Sequence, residues 1–585
     1  MSTTQFVEKS KLTAASRQAA LAAMTDQEGL DILVIGGGVT GAGIALDAAS
    51  RGLRTGIVEA GDWAAGTSSY SSKLVHGGLR YLYNLDFKLV AESLKERGLL
   101  LTKIAPHLVK AQPFLWPLKL PVIERAYSAV GIGMYDALAF AGAGGRFTVP
   151  AQRHFSKKGT KTVFPDIKDS AYSGAIQFYD ARVDDARLVV DLVRTASGYG
   201  ALAASRTQLV DVLKDAAGTV VGARLQDLES DQELTVKTKH IINATGVWTE
   251  ETEALASQDA GLKVLASKGI HITVARDRIK ASSGIFTKTE KSVLFIIPWQ
   301  RYWIIGTTDT PYEQDLAHPV ATEADIDYVL MQANKLLAQE LTREDVISTF
   351  AGLRPLLQPK LKEGSEQAST KVSREHTVTE IAPGMSAIAG GKLTGYRVMA
   401  ADAVDFALGA EAKNRPCLTE NIQLVGAGGY QALLAQKNKL AQDFGWTLDR
   451  LDHLLERYGA ELADLCDLIK NNPDLGQPLE HAPQFLRADV SYGVRAEGAL
   501  HLEDMLVRRI RLDLEAKDRG LAAAQEVAEI MASELDWSEQ TVKRELELYR
   551  QRVEAIAAAR TTREEEQANT LMGQVEQISP RHKLG

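Results

Sequence analysis

The stretch "DILVIGGGVTGAGIALDAASRGLRTGIVEA", residues 31–60, constrains the fold more than any other part of the chain. Ile32 to Ile35 form a short apolar run of strand type, a glycine turn follows, and Ile44, Leu46 and Ala48 fall in a helix. Thr55 to Val58 then give a second strand, which ends at Glu59. The turn carries G-x-G-x-x-G on Gly36, Gly38 and Gly41, with Gly43 as a further small residue. Gly36 permits the tight turn, Gly38 lets a pyrophosphate approach the backbone, and Gly41 lets the helix pack against the strand. The N–H groups of the first helical turn then face the phosphates. Glu59 stands at the spacing where a carboxylate takes the hydroxyls of an adenosine ribose. Strand, turn, helix, strand and acid in this order predict a Rossmann-like dinucleotide unit in an α/β protein. With an acid at this position, and no arginine, the ribose is unphosphorylated, which leaves NAD or FAD.

At 585 residues the chain has room for more than one domain, and 45% hydrophobic with 24% charged residues places it among soluble globular proteins. A net charge of -8 argues against a duplex-binding surface spread over the whole protein, so no nucleic-acid partner is expected. Cys417 and Cys466 lie far apart, and no His or Cys cluster has metal-ligand spacing, so neither a disulfide framework nor a metal is expected. A reducing, cytoplasmic compartment fits. Gly-x-Ser-x-Gly and Walker-type loops are both missing. Residues 1–28 lack the continuous apolar core of a secretory signal and read as an arm before the first domain. "AYSAVGIGMYDALAFAGAGG", from Ala126, comes nearest to a membrane span, but Asp136 and the glycines disfavour one, so a buried helix is expected there.

Three later stretches bear on the cofactor. "HIINATGVW", from His240, is an apolar strand ending in Ala244, Thr245 and Gly246. "WIIGTTDT" ends in small hydroxyl residues and Asp309, and "AIAGGKLTGYRVMAADAV" sets Gly390, Gly391, Lys392 and Thr394 before an apolar helix. A ligand touched by segments this far apart in sequence fits an extended flavin dinucleotide better than a nicotinamide on one local unit.

The glycine unit, "GTSSYSSKLVHGGLRYL", "VDDARL", "NATGVW", "SKGIHITV", "FIIPW", "IIGTTDT", "AGLRPLL" and "GGKLTGYR" follow one another from about Asp31 to Ala410. With "EGALHLEDMLVRRIRLDLE" further on, this series resembles the FAD-dependent, membrane-associated glycerol-3-phosphate dehydrogenases. The resemblance implies a glutathione-reductase-like flavin fold with an α+β cap domain and a C-terminal helical domain. It implies oxidation of sn-glycerol 3-phosphate to dihydroxyacetone phosphate, with electrons passed to a membrane quinone. Cofactor contacts are implied for Thr67, Ser68, Ser72, Lys73, Gly77, Gly78, Ala244, Thr245, Gly246, Asp309, Gly391, Lys392, Leu393 and Thr394, beside Gly36, Gly38, Gly41 and Glu59. One departure is Gly395, where the family more often has threonine.

A phosphate monoester beside a flavin needs fixed donors, because a charge buried without a partner is strongly disfavoured. Arg80 and Tyr81 can supply a charged fork and a neutral donor, and the resemblance adds Arg374 to this phosphate set. Alcohol oxidation also needs a base and a stabiliser of alkoxide charge. His271, Arg354 and Lys392 match family positions beside the reacting centre, with His271 as candidate base. Other readings stay open at this point: an oxidase using oxygen, an amine or amino-acid oxidase on the same fold, and a flavin-bound sensor or membrane interaction protein without turnover. Oligomeric state is open too, a homodimer included.

The expected organisation is the arm, a flavin domain over residues 29–424 interleaved with a cap (mainly about 85–170 and 265–345), a helical domain over 425–560, and a flexible polar tail over 561–585. Leu448, Leu451, Leu454, Leu455, Tyr458, Leu462 and Leu465 recur at helical spacing, with Thr447 as N-cap. Helical runs are also expected over 496–514 and 521–558. For peripheral contact with the cytoplasmic membrane face, Lys88, Lys95, Arg97, Lys103 and Lys110 beside exposed Trp116 and Leu118 form a candidate surface, against an ordinary core-facing cap segment.

Overall fold

The computed structural model describes residues 3–79, 86–120, 122–257, 262–290, 292–358 and 376–582. The predicted strand, helix and strand are present as Leu30–Ile35, Val39–Ser50 and Thr55–Val58. Leu30–Ile35 pairs in parallel with Thr55–Val58 on one side and with Gln232–Asn243 on the other. Leu202–Ala204 and Met385–Ala389 extend this parallel core at its two flanks. Ile32, Val34 and Ile57 pack into one core with the helices Val39–Ser50, Asp185–Gly198 and Tyr396–Leu408. Leu33, Ile35 and Val58 point the other way, into a second core with Met24 and the antiparallel strands Thr207–Lys214 and Val220–Asp227. Alternation across the parallel strands therefore buries both faces of the sheet.

A second sheet of ten strands has Val264–Ala275 and Val346–Leu357 paired along their length, with Lys110–Leu118 and Gly174–Arg182 further along. It too is covered on both faces: Leu115, Ile270 and Ile272 join one core, while Phe114, Trp116 and Leu118 join another. Of the two readings open for this segment, the core-facing one holds for Trp116 and Leu118, which are buried because their strand lies inside the sheet, and the membrane-docking one does not. The basic residues around them divide, with Arg97 buried, Lys95, Lys103 and Lys110 half-buried, and Lys88 exposed. Arg97 pairs with Asp180, Lys95 with Glu420, and Lys110 bonds the Tyr430 hydroxyl. The stretch from Ala126 is corrected. Helix Ile123–Gly142 buries Ser128, Ile132 and Tyr135 but exposes Ile123, Tyr127 and Val130 on the opposite stripe.

Beyond residue 425 the chain is helical apart from the short antiparallel pair Pro478–Leu479 and Ala482–Leu486, and Thr447 caps Leu448–Tyr458 by accepting from the Arg450 N–H at 3.2 Å. The expected run over 521–558 is two helices, Leu521–Leu535 and Glu539–Ala559, because Asp536 adopts φ 54° and Ser538 caps the second. The run over 496–514 is broken too, into Asp504–Arg509 and Leu512–Glu515, with Arg511 at φ 63° between them. Its charged side chains explain its course. Glu497 pairs with Arg187, Asp504 with Arg206, Arg508 and Arg509 with Asp62, and Arg511 with Asp185, so this segment is clamped onto the dinucleotide domain. At the other end of the chain, Arg17 is buried against Asp227 and the Ser205 and Arg206 carbonyls, which holds helix Ala14–Met24 to the same domain.

His501 lies in this clamp, its ring nitrogens 2.8 Å from Glu545 and 3.0 Å from Glu229. Burial disfavours its charged form, but hydrogen bonds to Glu229 and Glu545 outweigh that and raise its pKa from 6.5 to about 9. A group whose folded pKa is raised contributes stability fully below its unfolded value and loses it as pH climbs to the folded one. The contribution, at most about 3 kcal/mol, is complete below about pH 6.5 and fades towards pH 9. In thermal unfolding, His501→Gln is expected to be less stable than the parent at pH 6.5 and to converge on it by pH 9. A constant offset across that range would remove the imidazolium from this role.

Candidate active site

The parallel strands deliver the glycine turn and Glu59 to one rim of the sheet, at the C-terminal ends of Leu30–Ile35 and Thr55–Val58, where α/β sheets bind ligands. Gly36 sits at φ 110°, open to glycine and costly for other residues. Helix and strand approach so closely that a Cβ on Gly41 would stand 1.8 Å from the Gly36 carbonyl oxygen. Glu59 accepts hydrogen bonds from the Gly37 and Gly61 N–H groups, both at 2.7 Å, and so faces the turn as a fixed carboxylate. Ser68 Oγ accepts from the Val39 N–H at 2.9 Å and holds a second loop at the helix N-terminus.

A cavity of about 630 Å³ opens from this rim. Gly36, Gly38, Glu59, Thr67, Ser68, Ala244, Thr245, Gly246, Gly391, Lys392 and Leu393, all candidates for cofactor contact, line it together with Arg354. A dinucleotide fits this donor set: a glycine cradle, a helix N-terminus for phosphate, a ribose-facing carboxylate, and a volume within the roughly 300–1,000 Å³ of ligand sites. A smaller cavity of about 130 Å³ adjoins it, lined by Ser72, His76, Gly78, Asp180, Thr307, Asp309 and a group of phenylalanines. Arg354 and Lys392 line both cavities.

Arg354 comes from strand Val346–Leu357, opposite Ser267. Its guanidinium donates to Thr307 Oγ1 at 2.9 Å, the Thr308 carbonyl at 3.1 Å and Asp309 Oδ1 at 3.2 Å, and Ser267 Oγ holds the same Asp309 oxygen at 2.5 Å. His271 lies behind the smaller cavity, buried and stacked on Phe350, with Nε2 2.9 Å from Ser72 Oγ. Desolvation, helped by the positive charges of Arg354 and Lys73, holds its pKa well below 6.5, so the ring is neutral near pH 7. Ser72 carries the link between the imidazole and the cavity.

Several expected contacts are elsewhere. The Lys73 ammonium is fully buried, donating to Asp185 at 2.6 Å and to the Ser69 carbonyl, so this side chain ties the loop down and does not line the cavity. Gly77 is backed by Leu94 and donates its N–H to the Tyr135 hydroxyl at 2.8 Å. Thr394 Oγ1 bonds both backbone groups of His76 and so joins the two loops that carry these residues. Arg80, Tyr81 and Arg374 lie outside the described residues. Gly395 is sterically optional, since a Cβ there would meet nothing nearer than Glu92 Oε1 at 3.9 Å. Sequence reasoning missed Asp180 and Thr307, as well as the aromatic wall of Phe114, Phe178, Phe286 and Phe295. It also missed the C-terminal residues Gln577, Pro580, Arg581 and His582, which line the larger cavity.

Residues 31–397 match the family model described as FAD dependent oxidoreductase, and residues 417–542 match the C-terminal domain of alpha-glycerophosphate oxidase. The chain is thus an FAD-dependent oxidoreductase, and the larger cavity is where its residues fit the cofactor. A glycerol-3-phosphate dehydrogenase of Mycobacterium leprae is 48% identical over 529 residues, covering 90% of this chain and 88% of the relative. The mitochondrial glycerol-3-phosphate dehydrogenase of Rattus norvegicus is 36% identical over 559 residues, covering 91% and 74%. Among solved structures, the glycerol-3-phosphate dehydrogenase from Bacillus halodurans complexed with FAD superposes with a TM-score of 0.75 at 29% identity, covering 93% of this chain and 98% of that one. The chain belongs to the FAD-dependent glycerol-3-phosphate dehydrogenase family.

Gly41→Ala is expected to abolish FAD retention, because the new methyl group would have to displace the turn that faces the phosphates. The ratio of flavin to protein absorbance after desalting measures it. Stoichiometric flavin in the variant would show that the turn can yield.

Proposed function

We propose that the protein oxidises sn-glycerol 3-phosphate to dihydroxyacetone phosphate and passes the electrons to a membrane quinone. The observation that carries this reading is the meeting of the two cavities at Arg354 and Lys392, which sets two cations where an alcohol held in the smaller cavity faces the larger one. When bound, FAD supplies the acceptor for the hydride that leaves C2. Arg354, held by Thr307, Thr308 and Asp309, stabilises the negative charge that develops on the C2 oxygen, and Lys392 adds a second positive charge beside it. His271 takes the hydroxyl proton by way of Ser72 Oγ, and its neutral ring is the form able to do so. The proposed phosphate donors are Arg80, Tyr81 and Arg374, as the family resemblance implies. A quinone is favoured as acceptor because four phenylalanines line the smaller cavity and offer an apolar face to a flat ring once the oxidised product has left it.

A quinone acceptor calls for contact with a membrane face. Among the described residues no helix is long and apolar enough to cross a membrane. Helix Ile123–Gly142 offers another route: Val122, Ile123 and Val130 are 73%, 76% and 69% exposed, Tyr127 lies on the same stripe, and exposed Lys119 and Arg146 lie near its two ends in the chain. This apolar stripe with flanking cations supports peripheral attachment.

Anaerobic mixing with sn-glycerol 3-phosphate should bleach the flavin, and a quinone analogue should restore its colour faster than oxygen does. Faster recovery with oxygen would favour an oxidase, and no bleaching would remove the substrate. Arg354→Ala should retain FAD while slowing bleaching by at least about a hundredfold, the scale of a lost oxyanion donor. Unchanged bleaching in that variant would take Arg354 out of the chemistry. Ile123→Glu with Val130→Glu should weaken co-sedimentation with anionic vesicles at unchanged flavin content, and equal sedimentation would place the attachment elsewhere.

A further inference from the structure

The tail expected to be flexible runs back to the larger cavity, where Gln577, Pro580, Arg581 and His582 form part of its wall. Helix Glu565–Gly573 is anchored by Ala568 and Met572, which pack with Val320, Ile556 and Ala559, and by the Lys268–Glu565 ion pair. After it, the chain is pinned residue by residue. Glu576 pairs with Arg544, and Gln577 Nε2 lies 2.6 Å from His318 Nε2. Buried Ser579 donates to Glu229 at 2.8 Å. Gln208 then grips the backbone of His582 twice, accepting from its N–H and donating to its carbonyl, both at 2.7 Å. Fixing each residue's backbone costs roughly 1–2 kcal/mol. A polar segment held at so many points is therefore placed by specific contacts.

Where the segment is placed suggests its role. Between these pins, the Arg581 guanidinium lies over the Trp248 ring, 4.6 Å from its centroid, and reaches to 3.7 Å from Glu59 Oε1, beyond direct hydrogen-bonding distance. Trp248, Glu59 and Gln208 all line the cavity, and so does Arg581. The acids around this part are Glu59, Glu251 and Asp315, while the lining cations Arg354 and Lys392 belong to the part shared with the smaller cavity. An adenosine diphosphate moiety brings negative charge to the acidic part, and Arg581 is the lining guanidinium present to meet it.

We propose that residues 575–582 form a strap completing the FAD site, and that Arg581 is a further cofactor-binding residue that holds the adenosine half of the dinucleotide. The strap must open for FAD to enter or leave, so it governs exchange of the cofactor, whatever substrate the enzyme oxidises. Release of FAD from the loaded full-length protein on dilution, followed by the fluorescence of freed flavin, tests this in three chains. Arg581→Ala is expected to release FAD about tenfold faster, the scale of one charge-assisted contact, and a chain ended after Val575 faster still. Arg581→Lys should fall between parent and alanine variant, because it keeps the charge and loses the fork. Release from Arg581→Ala at the parent's rate would overturn the assignment, and so would slower release from the shortened chain, which would make the strap a competitor of the cofactor. Should the shortened chain fail to fold, the point variant decides.

Discussion

Two buried carboxylates hold this structure together. Asp185 accepts from the Lys73 ammonium and from Arg511 on one oxygen, and from the N–H and hydroxyl of Ser71 on the other. One side chain thus fixes the loop that presents Ser72 to the smaller cavity, the start of helix Asp185–Gly198, and the C-terminal segment. Asp62, three residues beyond Glu59, receives Arg508 and Arg509 together. Pairs of this kind add little net stability over an apolar core, yet removing one partner strands a buried charge at a cost of about 3–5 kcal/mol. Their effect here is to permit one docking of the helical domain. The site inherits its rigidity from that docking, because the loop under Lys73 is shared between the two.

The same economy of charge governs the site itself. Arg354 is fixed by three acceptors before any substrate arrives, so little reorganisation is left for the reaction. That fixed charge, with Lys73 behind it, also keeps His271 neutral, since an imidazolium between them would be both desolvated and repelled. A strong base is not available there. Ser72 lies between ring and cavity, and in the proposed reaction the driving force for proton transfer must come from the acidity that Arg354 and Lys392 confer on the alcohol.

Much of this was legible in the sequence, and the boundary is physical. The glycine turn and Glu59 could be read because local geometry dictates them: the 1.8 Å approach at Gly41 excludes every other residue. Thr447 could be read as a cap for the same reason. Proposing a role in the chemistry for Arg354 and Lys392 needed the family resemblance, since nothing local distinguishes an arginine on a strand or a lysine in a turn from one on a solvated face. For Trp116 and Leu118 the sequence left a core-facing and an exposed placement open, because a strand buried on both faces lacks the alternation that reports a solvent side. Helix Ile123–Gly142 was misread, its apolar residues being spread over two faces of which only one meets the core. The strap was invisible for a third reason. Its polar composition matches that of a loose tail, and its partners, Gln208, Glu229 and Glu59, lie more than 300 residues away.

Asp180 sets the hardest condition on the proposed substrate. It lines the smaller cavity, where a phosphate ester would bring up to two negative charges, and a bare carboxylate there would oppose binding. The structure answers this from behind. Burial raises the pKa of Asp180, while Arg97 donates to it at 2.7 Å and the Tyr135 hydroxyl at 2.6 Å, both on Oδ1. Tyr135 in turn accepts from the Gly77 N–H, so the acid also holds the Gly-Gly turn that borders the cavity. Asp180 is therefore charge-balanced by a buried guanidinium and engaged by two donors, and it presents to the cavity a wall close to neutral. Asp309 also lines this cavity but is paired with Arg354, so with Lys392 the described lining charges sum to a positive value, the sign an anionic alcohol requires in the proposed reaction.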